Sequence, residues 1–177
     1  MHRLFVALRP PVPVRDLLID AMHSVPGLRW QDDEQLHMTL RFVGEVERPL
    51  AEDLALALGT VRFDPFEVRI AGVGRFERSG RGALWAGVEP RKPIAALAAK
   101  VERVCVGLGL SPERRAFHPH ITLARWGRSA AVSLDPYLAR HAALASEPFT
   151  VGAFHLYQSH LGRDGAHYEA VAEYPAT

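Results

Sequence analysis

One cysteine, two lysines and no long apolar run set the first bounds on this 177-residue chain. With Cys105 alone, an intrachain disulfide and any multi-cysteine zinc or iron–sulfur site are excluded. That cysteine sits in an apolar helical pattern, which reads as buried packing rather than as a nucleophile. Before Arg9 and two prolines the N-terminus offers only the apolar run Leu4–Leu8, too short for a signal peptide. Nothing approaches the length of a membrane span, so the expected location is the cytoplasm, with no membrane partner. Neither sign of charge dominates: 21 basic residues face 20 acidic ones, for a formal charge of +1. That balance excludes a histone-like coat for nucleic acid, though it says nothing about local patches. Lysine is confined to Lys92 and Lys100. Coding bias explains the arginine excess most simply, and a demand for forked guanidinium donors at a phosphate site is the sharper explanation.

What is present is globular. An apolar fraction of 48% and a charged fraction of 23% are ordinary for a packed domain, and the length suits one. Leu4–Leu8 reads as a buried strand ended by Pro10 and Pro11, and Pro13 opens a helix through Leu17, Leu18, Met22 and Val25. Leu36–Val43 alternates, with Leu36, Met38, Leu40 and Phe42 on one face and His37, Thr39 and Arg41 on the other. A helix starts at Pro49. Strands follow near 66–73 and 83–88, joined by the turn-rich Arg78-Ser-Gly-Arg-Gly82. A helix runs from Pro93 to Leu108, and a strand spans about 117–126. A short helix at 135–144 and strands at 149–157 and 167–172 complete the pattern. Several strands are consecutive, which favours an α+β fold with antiparallel or mixed sheet over a doubly wound one.

The chemical signal is a word that occurs twice. His37-Met-Thr-Leu40 and His120-Ile-Thr-Leu123 both read His-x-Thr-Leu, one in each half of the chain. In a strand, His and Thr of each copy share a face. Two such strands facing one cleft would supply two imidazoles that titrate near neutrality and two hydroxyl donors. Phosphodiester hydrolysis needs a base for water and an acid for the departing oxygen, each worth about 10²- to 10⁴-fold. Hydroxyls can steady the charge gathering on the phosphoryl oxygens. The residue types fit phosphoester chemistry without a metal. A competing reading takes His118 and His120, two apart on one strand face, with His37 as a third ligand to zinc or iron; no carboxylate or further histidine at a recognisable spacing supports it.

The chain resembles the two-histidine phosphoesterase superfamily, and within it the RNA 2′,3′-cyclic phosphodiesterase (2′-5′ RNA ligase) family. The words that carry the resemblance are Arg3-Leu-Phe-Val-Ala-Leu8, Arg29-Trp30 and Leu36-His-Met-Thr-Leu-Arg-Phe-Val-Gly-Glu45. Phe117-His-Pro-His-Ile-Thr-Leu-Ala-Arg125 and Leu156-Tyr-Gln-Ser159, with Gly165 and Tyr168, complete them. It implies a single bilobal domain over 1–177, an antiparallel sheet with flanking helices in each pseudo-equivalent lobe, and an active site in the cleft between. It implies hydrolysis of RNA 2′,3′-cyclic phosphate ends, or of nucleoside 2′,3′-cyclic phosphates, to 2′-phosphomonoesters, with reversible 2′-5′ RNA ligation by the same groups and no cofactor. His37 would be the proton donor, His120 the proton acceptor, and Thr39 and Thr122 the phosphate holders. A monomer is the default.

Four further residues are candidate substrate contacts. Arg41 shares the His37–Thr39 parity and reads equally well as a phosphate contact or a solvated charge. Arg125 has the opposite parity to His120 and Thr122, so it reaches a phosphate only through a bulge or the strand end. Trp30 and Tyr157 are candidates for stacking a base, whereas Phe42 has core parity and reads as packing. The remaining histidines carry no expected role. Alternatives to the leading reading are another two-histidine phosphodiesterase, a non-catalytic RNA- or nucleotide-binding module, and the metalloenzyme above.

Overall fold

A computed structural model describes residues 1–177. Thirteen elements follow one another: β1 (His2–Leu8), α1 (Val12–Asp20), β2 (Arg29–Trp30), β3 (Met38–Val46), α2 (Arg48–Leu58), β4 (Phe66–Arg78), β5 (Arg81–Glu89), α3 (Arg91–Gly107), β6 (His120–Trp126), α4 (Asp135–Arg140), β7 (Phe149–Val151), β8 (Ala153–Gly162) and β9 (Gly165–Pro175). Each expected segment carries a strand or helix, but the single strand expected at 149–157 is two, β7 and β8, which part at Gly152 and enter different sheets. β2 is the addition: two residues long, it carries too little periodicity to be read from sequence.

The strands form two antiparallel sheets. One has the order β3-β1-β8-β9, the other β2-β6-β5-β4-β7. Each motif strand therefore lies in a different sheet, β3 at the edge of the first and β6 beside the short β2 of the second, and the two strands run close to one another where the sheets meet. The fold is α+β, with a motif in each half.

One apolar cluster of 33 buried residues joins the sheets to their helices. Leu18 of α1, Leu54 and Leu58 of α2, and Ile94, Leu97, Val101 and Cys105 of α3 are all closed to solvent, so the cysteine is a packing residue as expected. Each such side chain contributes about 1.5–3 kcal/mol by leaving water. The side chains of β1 alternate between two environments. Leu4, Val6 and Leu8 enter the main core, while Phe5 and Ala7 join Tyr157 in a small cluster on the opposite face. That opposite face of the first sheet is one wall of the cleft. No helix is long and apolar enough to cross a membrane.

Candidate active site

The motif strands are not regular, and their irregularity decides which side chains meet. Along β1 and β3, Val6 pairs with Arg41 and Ala7 with Thr39, leaving Leu40 as an extra residue. Along β5 and β6, Leu84 pairs with Ala124 and Trp85 with Thr122, leaving Leu123 extra. Each bulge falls on the leucine of its own His-x-Thr-Leu word, and both leucines are buried. A single inserted residue reverses the side-chain parity beyond it. Arg41 therefore turns toward the core side with Val6, and Phe42, opposite Phe5, turns to the cleft and is 55% exposed. In the other half Ala124 is buried, and Arg125 returns to the face of His120 and Thr122, exposed.

The cleft between the sheets has a volume of about 1430 Å³. Its lining includes His37, Thr39, Phe42, His120, Thr122, Arg125 and Tyr168. Both histidines are oriented by the same device. His37 Nδ1 donates to the Gln35 carbonyl at 2.7 Å, and His120 Nδ1 donates to the His118 carbonyl at 2.6 Å. A carbonyl can only accept, so in the neutral ring the proton is on Nδ1 and the lone pair on Nε2. Thr39 Oγ1 donates to that Nε2 of His37 at 3.0 Å. The His37 ring is packed by Phe5, with centroids 4.8 Å apart, and by Tyr168 edge-on at 5.2 Å. Around His120, Phe76 stands edge-on at 5.0 Å and Trp85 lies at 6.1 Å.

The proton balance follows from this packing. Desolvation lowers His37 to about 4, against the opposing effect of its bond to Gln35, and the charges of Arg125, Arg9 and His120 add to the depression. His120 is also lowered, first by desolvation and then by the nearby charges of His118 and Arg125. Both shifts favour the neutral imidazoles near pH 7. His37 is further held through its acceptor. Arg9 donates to the carbonyls of Asp33, Glu34 and Leu36 at 3.0, 3.2 and 2.9 Å, and Arg9 and Arg15 both reach the Asp33 carboxylate. These bonds fasten the 3₁₀ turn Asp33–Gln35 that supplies the His37 acceptor. Gln35 itself donates to Ala166 of β9 at 2.9 Å.

The expected contacts divide. Arg125 lines the cleft; the bulge that its parity required is there. Arg41 does not offer its guanidinium to the cleft: it is 9% exposed, pairs with Glu102 of α3 at 2.8 Å, and donates to the Ser111 and Phe42 carbonyls. Trp30 pairs with the core-facing Ala124 and packs beside Tyr137 at 5.7 Å, outside the cleft. Tyr157 is buried and stacked on Phe5 at 5.2 Å on the same face of the sheet, and it does not line the cleft. Tyr168, Phe42 and Phe76 are among the aromatics that line the cleft. Plain alternation puts Phe42 on the core face, and the bulge at Leu40 reverses that parity; no periodicity in the sequence singles out Tyr168. His118 is exposed and edge-on to Trp85 at 4.6 Å. No three His, Cys, Asp or Glu side chains anywhere in the molecule are grouped to hold an ion.

Comparison with known proteins agrees with this geometry. The model of the 2′-5′ RNA ligase superfamily matches residues 10–163. The chain is 34% identical over 157 residues to the RNA 2′,3′-cyclic phosphodiesterase of Aeropyrum pernix, covering 87% of this chain and 89% of that one. It is 30% identical over 180 residues to the Escherichia coli RNA 2′,3′-cyclic phosphodiesterase, covering 99% and 97%. The crystal structure of E. coli LigT complexed with 3′-AMP superposes with a TM-score of 0.82 at 26% identity, over 99% of this chain and 98% of that one.

Proposed function

The chain belongs to the 2′-5′ RNA ligase superfamily, and from that premise we propose that it is an RNA 2′,3′-cyclic phosphodiesterase. It opens the cyclic phosphate at an RNA 3′ end, or on a nucleoside, to a 2′-phosphomonoester, with no metal ion. One observation carries the reading: two neutral imidazoles, each fixed through Nδ1 on the carbonyl two residues back, line one cleft with Arg125. A binding module has no use for two oriented, titratable rings.

In this mechanism His120 takes a proton from water as its oxygen attacks phosphorus, and His37 gives a proton to O3′ as the P–O3′ bond breaks. Thr39, Thr122 and Arg125 donate to the non-bridging oxygens, where charge gathers in the transition state. The proton that His37 needs enters with the substrate. A phosphodiester anion beside the ring favours imidazolium, and the phosphate oxygens draw the Thr39 hydroxyl from Nε2. Ligation follows the same path with a 5′-hydroxyl in place of water: His120 takes the hydroxyl proton as O5′ attacks phosphorus, and O3′ leaves with the proton from His37. The exchanged assignment, His37 as base and His120 as acid, has one observation in its favour: burial makes His37 the ring that resists protonation in the empty cleft. The residues of the site all come from one chain.

The test is hydrolysis of 2′,3′-cyclic AMP, and of a short RNA ending in 2′,3′-cyclic phosphate, with excess chelator. The expected result is full activity and a product carrying only 2′-phosphate, identified by phosphorus NMR against authentic standards. A 3′-phosphate product contradicts the assignment of the leaving oxygen. Activity abolished by chelator and restored by zinc contradicts the metal-free mechanism.

A further inference from the structure

The cleft extends beyond the reacting groups along the second sheet, and the strand register orders what lies there. On the cleft face, Thr122 is beside Trp85 and Gly74, and Arg125 is beside Ala83 and Phe76. The next row on that face is Arg81 of β5 paired with Arg78 of β4. From Trp85 to Arg81 is four residues of strand, about 13 Å at ~3.3 Å per residue. The hairpin tip between them, Ser79-Gly80, has positive φ at both residues. It abuts the segment after β6, where a Cβ on Gly80 would sit 3.9 Å from Cα and Cγ of Arg128. Three arginines thus converge at one end of the cleft.

This arrangement is electrostatically unfavourable on its own. Like charges directly opposed across two strands repel, and Arg78 opposes Arg81 in register. Seven arginines have carboxylate partners: Arg9 and Arg15 with Asp33, Arg41 with Glu102, Arg48 with Glu52, Arg69 with Glu89, Arg75 with Asp135, and Arg115 with Glu113. Arg78, Arg81 and Arg128 are exposed and have no such partner. The cleft as a whole is lined by seven arginines and four glutamates, an excess of three positive charges in a chain whose formal total is +1. Two of the four glutamates, Glu102 and Glu113, already answer Arg41 and Arg115. Four of the seven cleft arginines, Arg78, Arg81, Arg125 and Arg128, lie on the second sheet or directly after its strand β6.

We propose that Arg78, Arg81 and Arg128 form a binding site for the backbone phosphates of the RNA strand 5′ of the reacting end. The inference rests on the phosphodiesterase reading and extends it: the preferred substrate is an oligonucleotide with a cyclic end rather than a cyclic mononucleotide. The reacting phosphate lies among the histidines and threonines. The strand then passes Phe76 and Arg125, and its next phosphates meet the arginine row. About 13 Å is the reach of a few nucleotides of single strand at 3.4 Å or more each. Guanidinium groups suit this role because they contact phosphate through two parallel N–H donors. The site reads no sequence, only backbone charge.

The experiment compares kcat/KM for 2′,3′-cyclic AMP with that for an eight-nucleotide RNA ending in 2′,3′-cyclic phosphate. It uses wild type, the triple variant R78A/R81A/R128A and the charge-retaining R78K/R81K/R128K. In wild type the oligonucleotide is the better substrate. The alanine variant lowers the oligonucleotide-to-mononucleotide ratio about tenfold or more, and lysine restores part of it. The salt slope for the oligonucleotide falls by about two, from three lost contacts at ~0.7 each. An unchanged ratio, or equal losses on both substrates, overturns the proposal. Should wild type turn over neither substrate, the phosphodiesterase reading fails, and fluorescence anisotropy with labelled RNA bearing a 2′-phosphate decides the site separately. Weaker, less salt-dependent binding in the alanine variant supports it, and equal binding by both proteins refutes it.

Discussion

In the proposed mechanism the two motif arginines have different work, Arg41 in the structure and Arg125 at the phosphate. Arg41 is held by Glu102 and two carbonyls in a nearly closed position. Arg41→Ala leaves Glu102 without its cation and the Ser111 carbonyl without its donor, at a cost of about 1–3 kcal/mol. The expected result is a lower urea midpoint, with the folded fraction keeping most of its kcat. Arg125→Ala is predicted to do the reverse: little change in midpoint, because the side chain is exposed, and a fall in kcat/KM on cyclic AMP of about tenfold or more. Equal effects on both properties in both variants would contradict this division. Arg9 acts through His37 rather than on substrate. Arg9→Gln frees the carbonyls of Asp33, Glu34 and Leu36, and nitrogen-15 NMR of His37 should then show a mixture of ring tautomers where wild type shows Nδ1–H. A wild-type spectrum in the variant would remove Arg9 from the positioning role.

At the scale of elements, the bulges explain both what the sequence made legible and what it hid. The motif strands, helices and sheet type were legible because period-two and helical patterns are long and Pro and Gly mark their ends. His37, Thr39, His120 and Thr122 precede the bulges, so plain alternation places them correctly. Past Leu40 and Leu123 the alternation misplaces Arg41 and Phe42, because an inserted residue has no signature in a single sequence. Trp30 and Tyr157 were misjudged for another reason: an aromatic near a motif can pack as well as stack, and only tertiary contacts separate the two. The wall behind His120 has its own requirement. A Cβ on Gly74 would lie 2.4 Å from the Trp85 ring, and that ring packs His118 and His120. Gly74→Ala is therefore expected to cost about 1–3 kcal/mol by overpacking and to lower kcat. Unaltered thermal stability and kcat would show that Trp85 moves aside freely.

For the molecule as a whole, burial of histidines makes stability depend on pH. His37 is held at about 4, below the ~6.5 of an unfolded chain, and His118, His120, His141 and His155 are shifted in the same direction. Between those values the unfolded chain binds more protons, so stability rises with pH through that window. The contribution is fully present above about pH 6.5 and is lost as pH falls toward 4. Urea midpoints are expected to rise from pH 4.5 to pH 6.5 and then level, with a shallower rise in His37→Asn. A midpoint that falls over this range would contradict the neutral, buried state of the ring. The same neutrality requires a proton to enter with the anionic substrate, which calorimetry in buffers of different ionisation enthalpy detects as net uptake on binding a non-hydrolysed 2′-nucleotide.

The proposed mechanism gives two histidines opposite duties in one cleft, and the pH dependence of kcat/KM for wild type, His37→Ala and His120→Ala separates those duties. A bell-shaped wild-type profile is predicted. Each variant should lose about 10²- to 10⁴-fold in rate, His37→Ala losing the alkaline limb and His120→Ala the acidic one. Limbs lost in the opposite order would exchange the two roles. A bell that keeps both limbs in either variant would contradict the acid–base pair itself.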